Sequence, residues 1–321
     1  MSVALLFSPQ GSQSVGMGRD LANAWPEAAR MFEQADRALG WKVSEVAWEG
    51  PEERLNQTQQ TQPCLVTTSL ACLAALRAAS ARSGVDLKPA FVAGHSVGEY
   101  AALVAAGVLA PSDAIRLVAR RGELMGAATV DGGMAAVIGL DRAAVADAIG
   151  AVASPADLVV ANDNAPGQVV ISGTRAALRD AEGALKAAGA RRVIPLPVSG
   201  PFHSPWMAGV CDALAAAFDE VDWSEAAPPV VSNVTAEPIT DAERIRNLLA
   251  EQVRSPVEWV SSVHRMAEDG VDTFIECGPG GALTGMVKRI APEARTLNVS
   301  DVATLEATVA ALGAVPAEAS A

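Results

Sequence analysis

A serine stands between two glycines at Gly94-His95-Ser96-Val97-Gly98, and a short apolar run, Phe91-Val92-Ala93, leads into it. The residues after Gly98 are good helix formers. The pattern predicts a strand, a sharp turn and a helix with Ser96 at the apex, the setting a nucleophilic serine requires. A side chain at Gly94 or Gly98 would crowd such a turn. The amide of Val97 falls at the helix start, where its N–H is free to face an oxyanion. A serine alcohol also needs a base, and histidine is the usual one near neutral pH. The chain has three histidines. His95 adjoins Ser96, and consecutive side chains in a sharp turn point apart. His264 lies in a helical stretch of mixed polarity. His203 lies in the loop Ser199–Ser204 directly after a strand, where catalytic residues tend to be placed. By elimination His203 is the base. No acid stands out to orient it, because Asp212 and Asp219 fall on the following helix. A Ser–His dyad, with a backbone carbonyl as orienter, fits better than a triad.

These residues need a scaffold, and the chain reads as α/β. Val3–Phe7 is an apolar run of the kind that forms a buried parallel strand. It breaks at Ser8-Pro9-Gln10-Gly11-Ser12-Gln13, a polar loop at the carboxyl end of a first strand, where ligands of open sheets bind. Residues 20–80 read as helical, interrupted by a polar loop at Asn56–Gln62, with Pro63 opening the next helix. A helix over residues 113–128 carries Arg116 and Arg120 on one face and Arg121 on another. From Asp131 the texture changes to strand, helix, strand, strand, helix, strand, which is the split βαβ signature. The expected fold is a large α/β-hydrolase-like domain with a parallel sheet, formed by residues 1–130 and 199–313. A small ferredoxin-like subdomain, residues 131–198, is inserted in it. Later strands are read at Pro229–Val234 and Val271–Glu276, with a helical stretch broken near Ser255-Pro256 between them. Cys277-Gly278-Pro279-Gly280-Gly281 forms a second glycine-rich turn before a helix. Residues 314–321 read as a disordered tail.

A net charge of −13 argues against nucleic acid, since phosphate binding needs a basic face. Cys64, Cys72, Cys211 and Cys277 show neither C-x-x-C nor metal spacing and read as reduced, buried thiols of a cytoplasmic protein. The first residues carry no basic segment and long apolar run of a signal peptide, and no stretch of apolar, uncharged residues reads as a membrane span. Three N-x-S/T triplets, at Asn56, Asn233 and Asn298, read as chance matches.

Eight segments in order, over about residues 3–300, resemble the malonyl-CoA:acyl-carrier-protein transacylases, a family that shares its pattern with polyketide-synthase acyltransferase domains. They are SPQGSQSVGMG at 8–18, TQP at 61–63, GHSVGEYAAL at 94–103, ARRGELM at 119–125, NAPGQVVISG at 164–173, SGPFHS at 199–204, QVRSPVEW at 252–259 and ECGPGGAL at 276–283. The resemblance implies Ser96 as nucleophile and His203 as base. It implies oxyanion amides from Gln10 and Val97, and Arg121 as the ligand of the substrate carboxylate. Gln252 would lie beside His203, its main-chain carbonyl orienting the ring. Gln62 and either Asn162 or Asn164 would line the pocket. Two positions depart from the usual pattern: Pro9 replaces a glycine before Gln10, and Phe202 is larger than the residue usual in the enzyme. In polyketide acyltransferases, Phe at that position accompanies malonyl selectivity. A patatin-like Ser–Asp pair with Asp131-Gly132-Gly133 is disfavoured, because the spacing is short and the first loop lacks that family's three glycines.

The chemistry fits these assignments. Arginine offers a planar, permanently charged fork for a free carboxylate, which malonyl has and acetyl lacks. Phe202 would crowd a branched α-carbon. The implied reaction is ping-pong transfer of malonyl from malonyl-CoA through a malonyl-serine ester to the phosphopantetheine thiol of acyl carrier protein, with no cofactor or metal. A local basic patch would dock the carrier protein, with Lys186, Arg191, Arg192, Lys288 and Arg289 as candidates. Transacylase, serine hydrolase and silent carrier-protein binder are the three classes to separate. Fatty-acid or polyketide context is not legible, and a monomer is compatible with the chain.

Overall fold

Strand β1 (Val3–Phe7) is buried at all five positions, as a strand covered on both faces must be. In the computed structural model, which describes residues 1–128 and 131–314, it lies at the centre of the main sheet. Five helices follow its loop: α1 (Arg19–Ala24), α2 (Pro26–Leu39), α3 (Val43–Glu49), α4 (Glu52–Leu55) and α5 (Thr58–Arg82). Then come β2 (Pro89–Gly94), α6 (Gly98–Ala105) and α7 (Pro111–Gly126). The next run is β3 (Gly132–Ile138), α8 (Arg142–Gly150), β4 (Leu158–Ala165), β5 (Gln168–Thr174), α9 (Arg175–Ala187) and β6 (Arg192–Pro195). The chain ends with α10 (Ala208–Phe218), β7 (Val230–Val231), β8 (Pro238–Ile239), α11 (Ala242–Glu251), α12 (Trp259–Glu268), β9 (Thr273–Cys277), α13 (Ala282–Ile290), β10 (Arg295–Val299) and α14 (Val302–Gly313).

The main sheet has the order β10-β9-β1-β2-β7-β8. All its pairs are parallel except the terminal β7–β8 pair. Parallel strands end on one side, so the loops after β9, β1, β2 and β7 gather at a common edge. The second sheet has the order β4-β5-β3-β6 and is antiparallel throughout. With α8 and α9 packed on it, this is the ferredoxin-like arrangement expected from the split βαβ pattern.

Several local expectations are corrected. The polar stretch at Asn56–Gln62 is no loop beyond its first two residues, because α5 begins at Thr58 and Pro63 lies inside it. Thr61 and Gln62 are fully buried, and the Thr61 hydroxyl donates to the carbonyls of Leu55 and Gln57. Polar side chains satisfied internally imitate a solvated loop in sequence. Proline in the second turn removes only one helical hydrogen bond. The 25-residue α5 is also long and apolar enough, by length and composition, to cross a membrane. Here it is a core helix, mostly buried against α2, α6 and α7. The strand read at Pro229–Val234 shrinks to β7, and the helical stretch before β9 is α11 and α12, separated by residues 252–258. Strands β8 and β10 and helix α14 lie where no element was read. The tail beyond Ala314 lies outside the described residues, as do residues 129–130 before the expected boundary at Asp131. All four cysteines are free and buried.

Candidate active site

The turn after β2 is built by close approach. A Cβ at Gly94 would overlap the backbone of Gly98, and one at Gly98 would overlap the carbonyl of Phe7 at the end of β1. Ser96 takes φ 53° and His203 takes φ 56°, two of only three non-glycine residues with positive φ among those described. Such conformations cost about 1–2 kcal/mol each and persist where surroundings impose them. They bring Ser96 Oγ to 2.8 Å from His203 Nε2. His203 Nδ1 lies 2.9 Å from the carbonyl of Gln252 and 3.1 Å from that of Ser255. A carbonyl only accepts, so Nδ1 carries the proton and Nε2 is the free acceptor facing the serine. The break between α11 and α12 is what frees these carbonyls. Burial pushes the His203 imidazole down to about 3, with the Arg121 charge acting in the same direction and the two carbonyls opposing. The ring is therefore neutral near pH 7, the form a base must have.

Gln10 and Val97 approach from the ends of β1 and β2. Among the described residues, neither backbone N–H has an acceptor. The first loop is held from below: the Ser8 hydroxyl donates to Glu276 Oε1 at 3.1 Å. A cavity of about 530 Å³ opens over Ser96 and His203. Pro9, Gln10, Met125 and Phe202 line it from the main-sheet side, and Met134, Asn162 and Leu196 line it from the small sheet.

Arg121 is 1% exposed and projects from α7 toward the serine. Its Nη1 donates to Gln62 Oε1, and its Nη2 donates to both Ser96 Oγ and Gln252 Oε1, each at 3.0 Å. Gln62 is therefore a buried brace behind Arg121 rather than a cavity wall. Of the two asparagines left open, Asn162 lines the cavity, and Asn164 Oδ1 accepts from His95 Nε2 at 2.7 Å. Burial lowers the His95 imidazole to about 4. His264 is exposed on α12, and Asp131 pairs with Arg175 at the surface, away from the serine.

Two residues escaped sequence reasoning. Glu99 is buried beneath the turn, and its Oε2 accepts from Gln252 Nε2 at 2.6 Å. Burial pushes its carboxyl up to about 7, against the donors and the Arg121 charge. Asn233, just past β7, is fully buried and bonds to the Ser96 turn. Its only sequence signal was a glycosylation-like triplet, which burial rules out.

A serine–histidine pair beside two unpartnered amides and a buried arginine is equipment for covalent acyl transfer. The acyl transferase domain family matches residues 4–308, and the chain belongs to that family. A malonyl CoA-acyl carrier protein transacylase of Bacillus subtilis strain 168 is 43% identical over 313 residues, 97% of each chain. One from Escherichia coli K12 is 43% identical over 289 residues, covering 89% of this chain and 92% of its own. Among solved structures, an acyl carrier protein S-malonyltransferase of Vibrio cholerae superposes with a TM-score of 0.91 at 41% identity, over 96% of this chain and all of its own. A malonyl-transacylase in complex with its type II polyketide acyl carrier protein gives 0.91 at 40% identity, over 97% of this chain and all of its own.

Proposed function

We propose that this acyltransferase carries malonyl from malonyl-CoA to the phosphopantetheine thiol of acyl carrier protein, with Ser96 as the temporary acceptor. The observation that carries the reading is that one serine oxygen is shared by a neutral imidazole at 2.8 Å and a buried guanidinium at 3.0 Å. A nucleophile beside a fixed cation suits an acyl group that bears a free carboxylate.

His203 Nε2 takes the Ser96 proton as Oγ attacks the thioester carbon. The amides of Gln10 and Val97 hold the resulting oxyanion, each worth about 3 kcal/mol on removal. The C–S bond then breaks, and CoA leaves as the thiol with the proton from His203. In the second half, His203 deprotonates the pantetheine thiol, which attacks the malonyl-serine ester, and Ser96 recovers its proton. The Gln252 carbonyl orients His203 throughout, Arg121 braced by Gln62 holds the malonyl carboxylate, and Phe202 and Asn162 shape the space around the α-carbon. The steps balance with these groups alone; malonyl-CoA is a substrate, and the pantetheine arm belongs to the carrier protein. In this reading residues 131–198 form the inserted subdomain that closes one side of the cavity, against the larger body of residues 1–130 and 199–313. The four buried free thiols suit a cytoplasmic location.

Intact and peptide mass spectrometry after mixing with malonyl-CoA is the direct test. A malonyl adduct on Ser96, stable until a thiol acceptor is added, is expected. Absence of label overturns the reading, and rapid loss of label to water makes the protein a hydrolase. Parallel initial-velocity lines are expected for the two-substrate reaction.

A further inference from the structure

Ser96 has its backbone held on both sides by side chains from distant segments. Asn233 Oδ1 accepts the Ser96 N–H at 2.6 Å, while Asn233 Nδ2 donates to the carbonyl of Gly94 at 2.7 Å. One side chain thus spans the turn from residue 94 to residue 96. On the other side, Gln252 Nε2 donates to the Ser96 carbonyl at 3.0 Å. The N–H in that same peptide plane belongs to Val97. A trans peptide sets C=O and N–H on opposite edges, so holding the Ser96 carbonyl fixes the Val97 N–H to face away from Gln252. Glu99 ties the two holders together: its Oε2 accepts from Gln252 Nε2 at 2.6 Å and from the Asn233 backbone N–H at 3.4 Å. Asn233 is itself anchored, its carbonyl accepting from the Glu258 N–H at 2.8 Å.

The φ of 53° at Ser96 is unfavourable for a residue with a Cβ. Asn233 fixes the peptide before Ser96, and Gln252, together with the Glu99 N–H at 3.0 Å, fixes the peptide after it, so side chains from outside the turn act on both backbone torsions of the serine. We propose that Asn233, Glu99 and the side-chain amide of Gln252 form a clamp that imposes the strained serine conformation and aims the Val97 N–H at the oxyanion. Asn233 and Glu99 are positioning residues: neither touches the reacting atoms. The proposal rests on Ser96 being the nucleophile, but not on the identity of the acyl group.

The test therefore uses methanesulfonyl fluoride, a small probe that needs neither malonyl-CoA nor carrier protein. Ser96 Oγ bonds to sulfur, the S–F bond breaks, fluoride leaves and His203 takes the serine proton; the sulfonyl oxygen occupies the oxyanion position. Labelling is followed by intact mass. Asn233→Leu keeps the volume and removes both bonds; it is expected to sulfonylate about 10- to 100-fold more slowly, the scale of an impaired oxyanion donor. Its acid pH limb should stay in place, because His203 keeps its own carbonyl partners. Asn233→Asp retains an acceptor for the Ser96 N–H and should recover part of the rate. A rate in Asn233→Leu equal to that of the unaltered protein, an Asp variant no faster than the Leu variant, or a shifted acid limb would overturn the clamp. If Asn233→Leu fails to fold, Glu99→Gln gives the reading: a several-fold slower label supports the clamp, and an unchanged rate overturns it. Loss of malonyl labelling with normal sulfonylation in the unaltered protein would instead remove the malonyl reading and leave the clamp standing.

Discussion

Two glycine turns flank the first loop, one after β2 at Gly94–Gly98 and one after β9 at Gly278–Gly281, and they are put to opposite uses. Both follow strands that pair in parallel with β1, and both lead into helices. After β2, the polar groups at the apex face outward, and the Val97 amide keeps no partner among the described residues. After β9, the acid turns inward. Glu276 Oε1 accepts from the Leu283 N–H and Oε2 from the Thr284 N–H and hydroxyl, which closes the start of α13. A helix N-terminus can hold an anion only while its amides are free. Here a carboxylate of the chain already occupies them, and the same carboxylate anchors Ser8 below the Gln10 loop. A Cβ at Gly278 would overlap the hydroxyls of Ser8 and Ser69, so the second turn is also a packing surface for the first loop. A glycine turn is therefore scaffold by default. It becomes a site only where remote residues leave its donors open and bring a base to its apex.

The largest test of that contrast is removal of the apex. Ser96→Ala or His203→Ala should lower kcat by about 10⁴-fold or more and, for the serine variant, abolish the malonyl adduct, with thermal stability retained. An adduct persisting in Ser96→Ala would place the nucleophile elsewhere and dissolve the comparison.

Arg121→Ala comes next. Loss of a charge-assisted pair to the substrate carboxylate should reduce malonyl loading about 100-fold and acetyl loading far less. The variant also carries a pH signature. The Arg121 cation disfavours a second positive charge on His203, whose imidazole is held near 3. Removing that cation eases protonation, so the His203 pKa rises and the acid limb of Ser96 sulfonylation moves to higher pH. A limb that stays put, or moves down, would mean that Arg121 does not act on the base.

At the second turn the order of effects should invert. Glu276→Ala leaves two amides and two hydroxyls short of an acceptor, at a cost of about 2–4 kcal/mol in stability by denaturant unfolding. Its effect on kcat, transmitted through Ser8 to the Gln10 loop, should be about tenfold or less. A variant of full stability that has lost its activity would give this turn a chemical role after all.

What was legible in the sequence follows the same division. Ser96 and the small antiparallel sheet could be read because glycines and short apolar runs punctuate them locally. His203 emerged by elimination among three histidines. Arg121 did not: spacing grouped Arg116 with Arg120 on one face, and only resemblance singled out their neighbour. A charged residue that is 1% exposed has no local mark of burial, because its partners Gln62 and Gln252 lie 59 and 131 residues away. Asn233 and Glu99 were missed for the same reason, since the Asn233–Ser96 bond spans 137 residues. Strand β10 was missed because Arg295-Thr296-Leu297-Asn298-Val299 is an edge strand, buried only at its last residue. Helix α14 did carry a signal, the Asp301 cap with Thr304 reaching back to the Asp301 N–H, which went unread.

The smallest expected effect concerns the carrier protein. Of the five basic candidates, Lys186 is paired with Glu182 on its own helix. Arg289 donates to Gln168 and to the Pro166 carbonyl, which ties α13 to the β4–β5 hairpin. Arg191 and Arg192 are exposed and without ion-pair partners among the described residues. Arg192 begins β6 and pairs with Ile138 of β3, Arg191 immediately precedes it, and Met134 on β3 lines the cavity. Ile138 and Met134 are four residue steps apart along β3, about 13 Å at the usual rise, a span a flexible pantetheine arm can cover. Charge at the rim of an encounter surface governs association more than chemistry. Arg191→Glu with Arg192→Glu should raise the carrier-protein KM several-fold, more at low salt than at high, and leave the malonyl-CoA half-reaction unchanged. The separation is sharp because the two half-reactions share Ser96 and differ only in the thiol that approaches it. If both halves slow together, the substitutions have disturbed the small sheet rather than the docking of a partner. If neither slows, the carrier protein approaches the cavity from another side.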